Sequence, residues 1–280
     1  MDRLLLPRVS LCVVETRFIE LALRSLSRSM RYVAFADVIL FTDHEPDLSA
    51  WPGIRAVNIG PITSTQAYSD FMLKNLGLHI QTSHVLVTQW DSWVLNASAW
   101  TDEFLQCDYI GAPWPLGHEG ITRDTSVGNG GFSLRSQRLQ QALLAPEMSL
   151  HHPEDLSICT SNRKRLEHDH GIRFADPALA LRFAFERTQS LAGASFGFHA
   201  FFNYAKALKR AELLEELRLM PPELLRGVEA RDLLVDLLRL NWSDCAKELM
   251  HKRWQAKPIN MRTWRMATRC FLHRLRHLTD

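Results

Sequence analysis

Several features are missing from this sequence, and each absence excludes something. No uninterrupted apolar stretch approaches the roughly 20 residues that cross a bilayer, so a transmembrane helix is not expected. No cysteine pair has CxxC or zinc-ligand spacing, which leaves no zinc-binding module. The five cysteines (Cys12, Cys107, Cys159, Cys245, Cys270) are odd in number and scattered, as expected of reduced thiols in a cytosolic protein. No excess of one charge sign exists: the formal net charge is +2, and nothing calls for a nucleic-acid partner. The N-terminus "MDRLLLPRVSLCVVETR" is only briefly apolar, is broken by Pro7 and Arg8, and lacks a small-residue cleavage site. A signal peptide is therefore not expected. Neither a GxGxxG fingerprint nor a P-loop occurs. The apolar run "VSLCVV" leads into "ETRFIE" rather than into a glycine-rich loop, which argues against a methyltransferase-like enzyme. A cytoplasmic location, or one peripheral to the inner face of a membrane, is the expectation.

What is present is a chain of 280 residues, 46% apolar, long enough for one large core with an appendage. Apolar runs alternate with helical periodicity. "VSLCVV" (9–14), "DVILFTD" (37–43), "IRAVNI" (54–59) and "HVLVTQ" (84–89) read as buried strands. "RFIELALRSLSRSM" and "TQAYSDFMLKNLGLHI" read as helices between them. Such alternation predicts an α/β fold, a sheet with helices on its faces. Ligands of these sheets sit beyond the strands' carboxyl ends, here "ETR" (15–17), "TDHE" (42–45) and "TQWDS" (88–92). Further on, "DYIGAPWPLGHEG" reads as an irregular crossing with one short strand, and "GITRDTS" as a polar loop. "VGNGGFSLRS" couples a glycine cluster to a strand, and "RLQQALLAP" is helical. "HPEDLSICTSNRKRLEHDHG" has helix-start chemistry and closes on Gly171. "IRFADPALALRFAFE" reads as short strands or turns. From about residue 205 the pattern is helical, so 1–204 is read as one α/β domain and 205–280 as a helical C-terminal extension.

Four places could carry chemistry. Asp91 ends a buried strand between Trp90 and Trp93. It suits either a turn cap or an oxygen ligand for magnesium or manganese. The cluster Asn129, Gly130, Gly131 suits either a tight turn or close approach of backbone to a ligand. Glu154 and Asp155 suit a helix N-terminus, or supply a general base for an acceptor hydroxyl. His199, among aromatics, suits either a satisfied core position or a metal ligand completing a site with a distant carboxylate.

In this order the blocks "TQWDSWVLNASAWTDEFLQCDYIGAPWP", "VGNGGFSLRS", "HPEDLSIC" and "FGFHAFFN" resemble a bacterial family of uncharacterised domains treated as glycosyltransferase-like. The resemblance covers roughly residues 8 to 203. That family is in turn similar to GT-A glycosyltransferases, whose single Rossmann-type mixed sheet binds a nucleotide-sugar donor at its strand ends. The resemblance implies a transferase acting on a hydroxyl of a glycan or lipid-linked glycan in polysaccharide biosynthesis, inverting and metal-assisted. Where that fold carries Asp-x-Asp for a manganese or magnesium ion, this sequence has Gln89, Trp90 and Asp91, with one carboxylate replaced by an amide. The implied metal ligands are Asp91 and His199; a metal-free site, with Lys74 or an arginine facing the phosphates, stays open. Asp155 is the implied base, with Glu154 beside it. Glu15, Thr16, Arg17, Asp43, Lys74, Gln89, Asp91, Asn129, Gly130 and Gly131 are expected on the donor, and Trp114 on the acceptor sugar. "GAPWPLGHEG" and "ITRDTSV" are the expected lids. The other class of protein consistent with the missing acid is an inactive nucleotide-sugar-binding or scaffold protein.

In the last stretch, Trp264, Thr268, Phe271, Leu275 and Leu278 alternate at spacings of four and three, with Arg262, Arg265, Arg269 and Arg276 on other sides. This helix is expected either to pack on the catalytic domain or to meet an anionic membrane surface or a partner in a glycan-assembly complex.

Overall fold

The structure, a computed structural model, describes residues 3–117, 121–187 and 194–276. Its chain divides into two compact units, Met1–His199 and Ala200–Asp280. In the first, β1 (Leu4–Val14), α1 (Ile19–Tyr32), β2 (Val33–Thr42), β3 (Arg55–Asn58), α2 (Thr65–Asp70) and β4 (His84–Thr88) follow the alternation expected from sequence. The helix begun by α2 continues through one π turn (Phe71–Asn75) and a 3-10 turn (Leu76–His79). Then come β5 (Trp93–Val94), β6 (Tyr109–Gly111), β7 (Phe132–Ser136), α3 (Gln137–Ala142), α4 (Glu154–Leu156), α5 (Arg163–His170), α6 (Pro177–Phe183), β8 (Ala184–Phe185) and β9 (Gly197–Phe198).

The main sheet has the order β3-β2-β1-β4-β7-β6. β1 through β4 run parallel, with Leu11 opposite both Val38 and Leu86. β7 is antiparallel to β4 and β6 antiparallel to β7, which makes the sheet mixed. A small sheet, β5-β9-β8, lies apart from it. The middles of the parallel strands (Leu11–Val14, Val38–Phe41, Val85–Val87) are apolar because both faces are covered. Along β1, Leu11 and Val13 join the cluster of Leu23 and Leu26 from α1 and Phe183 from α6, while Cys12 and Val14 join that of Phe71, Met72 and Leu76. Side chains two apart share a face, so one strand feeds two cores. The fold is thus a mixed α/β sheet flanked by helices.

The segment 172–186 departs from its expected strands or turns, because α6 occupies its middle. The start signal was present. Asp176 accepts the amides of Ala178 (2.9 Å) and Leu179 (3.0 Å), and Pro177 stands at the first helical position. α5 ends as expected on Gly171, whose φ of +61° a side chain would resist.

The second unit contains α7 (Tyr204–Ala207), α8 (Arg210–Leu219), α9 (Glu229–Arg239), α10 (Ser243–Ala256) and α11 (Met261–Arg276). Leu213, Leu217, Leu233, Leu234, Leu237 and Leu249 form its buried interior. Arg253 is buried with them, donating to Thr263 Oγ1 (3.1 Å) and to the Gly227 carbonyl (3.2 Å). No described helix is long and apolar enough to cross a membrane.

Candidate active site

A cleft of about 600 Å3 opens beyond the carboxyl ends of β1 and β4. Glu15, Thr16, Arg17, Gln89, Asn129, Gly131, Glu154, Asp155 and His199 line it, joined by Tyr68, Trp90 and His152.

The β4 side is built on the turn Gln89–Ser92. Ser92 Oγ donates to the Gly131 carbonyl (2.7 Å) and accepts the Gln89 amide (2.8 Å), which ties the strand end to the glycine cluster. Serines on α1 brace the same turn: Ser25 Oγ donates to the Ser92 carbonyl, and Ser29 Oγ accepts the Val94 amide (3.1 Å). Asp91 is thereby buried, 6% exposed, and its Oδ1 lies 3.6 Å from His199 Nε2. The same Nε2 donates to Gln89 Oε1 (3.1 Å), whose amide nitrogen donates in turn to the Tyr68 hydroxyl (3.4 Å). On the far side of the ring, Nδ1 lies 3.4 Å from Glu186 Oε1. Burial alone would lower the imidazole's pKa. The charge of Asp91 and the hydrogen bond and charge of Glu186 outweigh it and hold His199 at about 9. His199 is therefore an imidazolium at neutral pH. Gly131 has to be glycine, since a Cβ there would stand 2.2 Å from His199 Nε2.

Opposite lies the second acidic pair, which the fold splits. Glu154 is buried on Arg135 (Nη2 to Oε1, 3.1 Å), and Arg135 is itself fully buried, with Nε on Ser133 Oγ (3.0 Å). Asp155 is only partly buried: Oδ2 accepts the Gly130 amide (3.2 Å) and Oδ1 its neighbour Leu156's (2.9 Å). Burial first, and the Glu154 charge second, raise Asp155 to about 6 against the pull of those amides. A carboxylate that is ionised at pH 7 yet basic for its kind can accept a proton.

On the β1 side, Glu15 turns back on its own loop. Its Oε1 accepts the amides of Thr16 (3.0 Å), Arg17 (2.8 Å) and Phe18 (3.2 Å). Arg17 lies over the Phe18 ring (4.8 Å), and Phe18 meets Trp90 edge-on (6.4 Å), giving an aromatic wall.

Of the expected residues, Asp91 and Gly130 sit behind the lining, and Asp43, Lys74 and Trp114 are not brought to the cleft. Asp43 follows β2 but holds His44 (2.6 Å). Lys74 is bound along its own helix to Asp70 (2.7 Å) and half exposed. Trp114 lays its ring against Gly128 and packs with the cluster of Tyr109, Leu139 and Ile158. Gly130 contributes its amide rather than an open surface. Of the expected lid, His118, Glu119 and Gly120 lie outside the described residues.

Sequence reading missed Tyr68 and Glu186. Tyr68 looked like one more apolar residue on a helix face, and Glu186 had no motif around it. His152, which no sequence pattern singles out, lines the cleft and pairs with Ser69 (2.9 Å).

The chain belongs to the family described as "Protein of unknown function (DUF5672)", whose model matches residues 53–199. No curated protein matches the sequence. Three solved structures show distant likeness. The galactosyltransferase LgtC, in complex with donor and acceptor sugar analogs, is 14% identical with a TM-score of 0.41, over 69% of this chain and 87% of that one. A glycosyltransferase involved in glycosylation of the major capsid of PBCV-1 is 11% identical with a TM-score of 0.41, over 73% and 95%. The 4-diphosphocytidyl-2C-methyl-D-erythritol synthase is 16% identical with a TM-score of 0.34, over 60% and 89%.

Proposed function

We propose that the protein is a glycosyltransferase that moves a sugar from a nucleotide-sugar donor to a hydroxyl of a glycan or glycolipid, with inversion. One observation carries the reading. A raised carboxylate, Asp155, shares a strand-end cleft with Gln89 and His199, and the buried Asp91 carboxylate lies 3.6 Å from that histidine.

In the proposed reaction the acceptor oxygen attacks the anomeric carbon as Asp155 takes its proton. The bond from that carbon to the diphosphate breaks, and the nucleoside diphosphate leaves with the electron pair. Glu154 is tied to Arg135 and serves to hold the loop, so Asp155 is the base. The wall of Phe18 and Trp90 offers stacking faces to a base or sugar ring.

Among the described residues no three His, Cys, Asp or Glu side chains gather as a metal-ligand set. The donors at hand are one carboxylate (Asp91), one imidazole nitrogen (His199 Nε2) and one amide oxygen (Gln89 Oε1), a nitrogen–oxygen set that suits manganese or magnesium. A bound cation would supply positive charge for the leaving diphosphate. Because Nε2 carries a proton at neutral pH, His199 must release it before it can ligate. Glu186 on Nδ1 fixes which nitrogen faces the cleft.

The second reading, a nucleotide-sugar-binding protein without catalysis, draws on Gln89, the amide that stands where a second carboxylate is expected. A thermal-shift screen of nucleotide sugars, with and without manganese, tests both. A donor raises the melting temperature by mass action. Slow hydrolysis of that donor, lost in Asp155→Asn, supports the enzyme; binding with neither hydrolysis nor transfer supports the binding protein. No stabilisation by any nucleotide sugar would end both readings.

A further inference from the structure

Helix α11 presents a second face that stays largely exposed, although Trp264 on it meets Trp254 edge-on (4.9 Å). Its inner side is small: Thr263 is buried on Arg253 (3.1 Å) and Met266 is 1% exposed. Its outer side carries Met261, Trp264, Phe271 and Leu272, which are 70%, 60%, 61% and 50% exposed. At 100° per residue, Trp264, Thr268 and Phe271 fall on one stripe, and Arg262, Arg265 and Arg269 on an adjoining one. All three arginines are exposed. Ile259, just before the helix, is 96% exposed. Between Glu248 and Asp280 the sequence has no acidic residue. An apolar groove of about 780 Å3 runs between α9, α10 and α11, and Phe271 belongs to both groove and stripe.

We infer that this face of α11 docks on an anionic lipid bilayer. The apolar stripe enters the boundary between headgroups and acyl chains, where Trp and Phe are favoured, while the arginines reach lipid phosphates. Charge selects this occupant. Three exposed arginines flank the stripe, and no acid in the segment opposes them. A purely apolar partner would leave those arginines without use, and a second copy of the same face would set arginine against arginine. The inference does not depend on the sugar-transfer reading.

The test is co-sedimentation of the full chain with phosphatidylcholine vesicles, with and without phosphatidylglycerol. Binding is expected only with the anionic lipid and should fall with added salt. Each arginine near an anionic surface contributes about fivefold in partition. The triple variant Arg262→Gln, Arg265→Gln, Arg269→Gln should therefore lose on the order of 100-fold. The double variant Trp264→Ser, Phe271→Ser should also release the protein. The three arginine side chains are exposed, so the triple variant should melt with the parent, which separates lost docking from lost folding. Equal binding to both vesicle types, no binding, or unchanged binding in both variants would overturn the inference. So would a dimer by light scattering that disappears in the Trp264, Phe271 variant while vesicles never bind.

Discussion

The two walls of the cleft are built from the same inventory: two carboxylates and one buried cation. Asp91 and Glu186 flank His199; Glu154 and Asp155 flank Arg135. The outcomes differ because the cations differ. Arginine does not give up its proton in proteins, so Arg135 settles on Glu154 and leaves Asp155 to absorb the remaining repulsion as a raised pKa. Histidine does give up its proton, so on the other wall the cation absorbs the strain and is raised instead. Where the shift lands depends on which member of a triad can titrate. One wall ends with a proton acceptor facing the cleft, and the other with a positive charge that pH or a metal can displace.

The comparison can be broken most sharply at Asp155. Asp155→Asn should lower transfer or donor hydrolysis by about 10²–10⁴-fold. It should not lower stability at pH 7. A folded pKa of about 6 means the carboxyl favours the fold only below its unfolded value, near 3.8, and that contribution is lost as pH rises through 6. Activity assays and melting curves on one preparation check both halves. Next in size is Arg135→Met, which strands Glu154 without its partner and should cost about 3–5 kcal/mol in denaturant unfolding. His199→Gln leaves Asp91 facing Glu186 without a cation, and should cost about 2–3 kcal/mol at neutral pH, less because the ring keeps some solvent access. The same group gives a pH signature. His199 is raised from 6.5 to about 9, so its contribution is complete below about 6.5 and is lost as pH rises through 9. Urea titrations across that window should show a decline that is flattened in His199→Gln. The smallest effect is expected at Lys74. Its half-exposed i,i+4 pair with Asp70 is worth about 0.3–0.5 kcal/mol, and Lys74→Ala should leave donor binding unchanged in a titration.

Much of the first unit was legible in sequence because the later halves of β1 and β2, and β4, are buried on both faces and therefore read as largely apolar runs. The sheet's order was not legible: β7 returns antiparallel beside β4 from 44 positions later along the chain, as His84 pairs with Ser136 at one end and Thr88 with Phe132 at the other. α6 was misread although Asp176 and Pro177 announced it, because "LALRFAF" alternates like a strand. Gln89 and His199 were both marked from sequence, yet their bond spans 110 residues and no local pattern encodes it. Glu186 and Tyr68 were missed for the same reason: their roles exist only through His199 and Gln89. Lys74 and Trp114 show the reverse error, residue types suited to a ligand but consumed by near neighbours.

Glu15 carries a consequence for what the first strand end can recognise. Successive backbone amides at such a turn form a concave receptor for an anion, and here the chain fills it with its own carboxylate. The receptor is already occupied by a carboxylate of the same chain. Glu15 is thus the turn's own internal ligand, and the three amides are satisfied before any other molecule arrives.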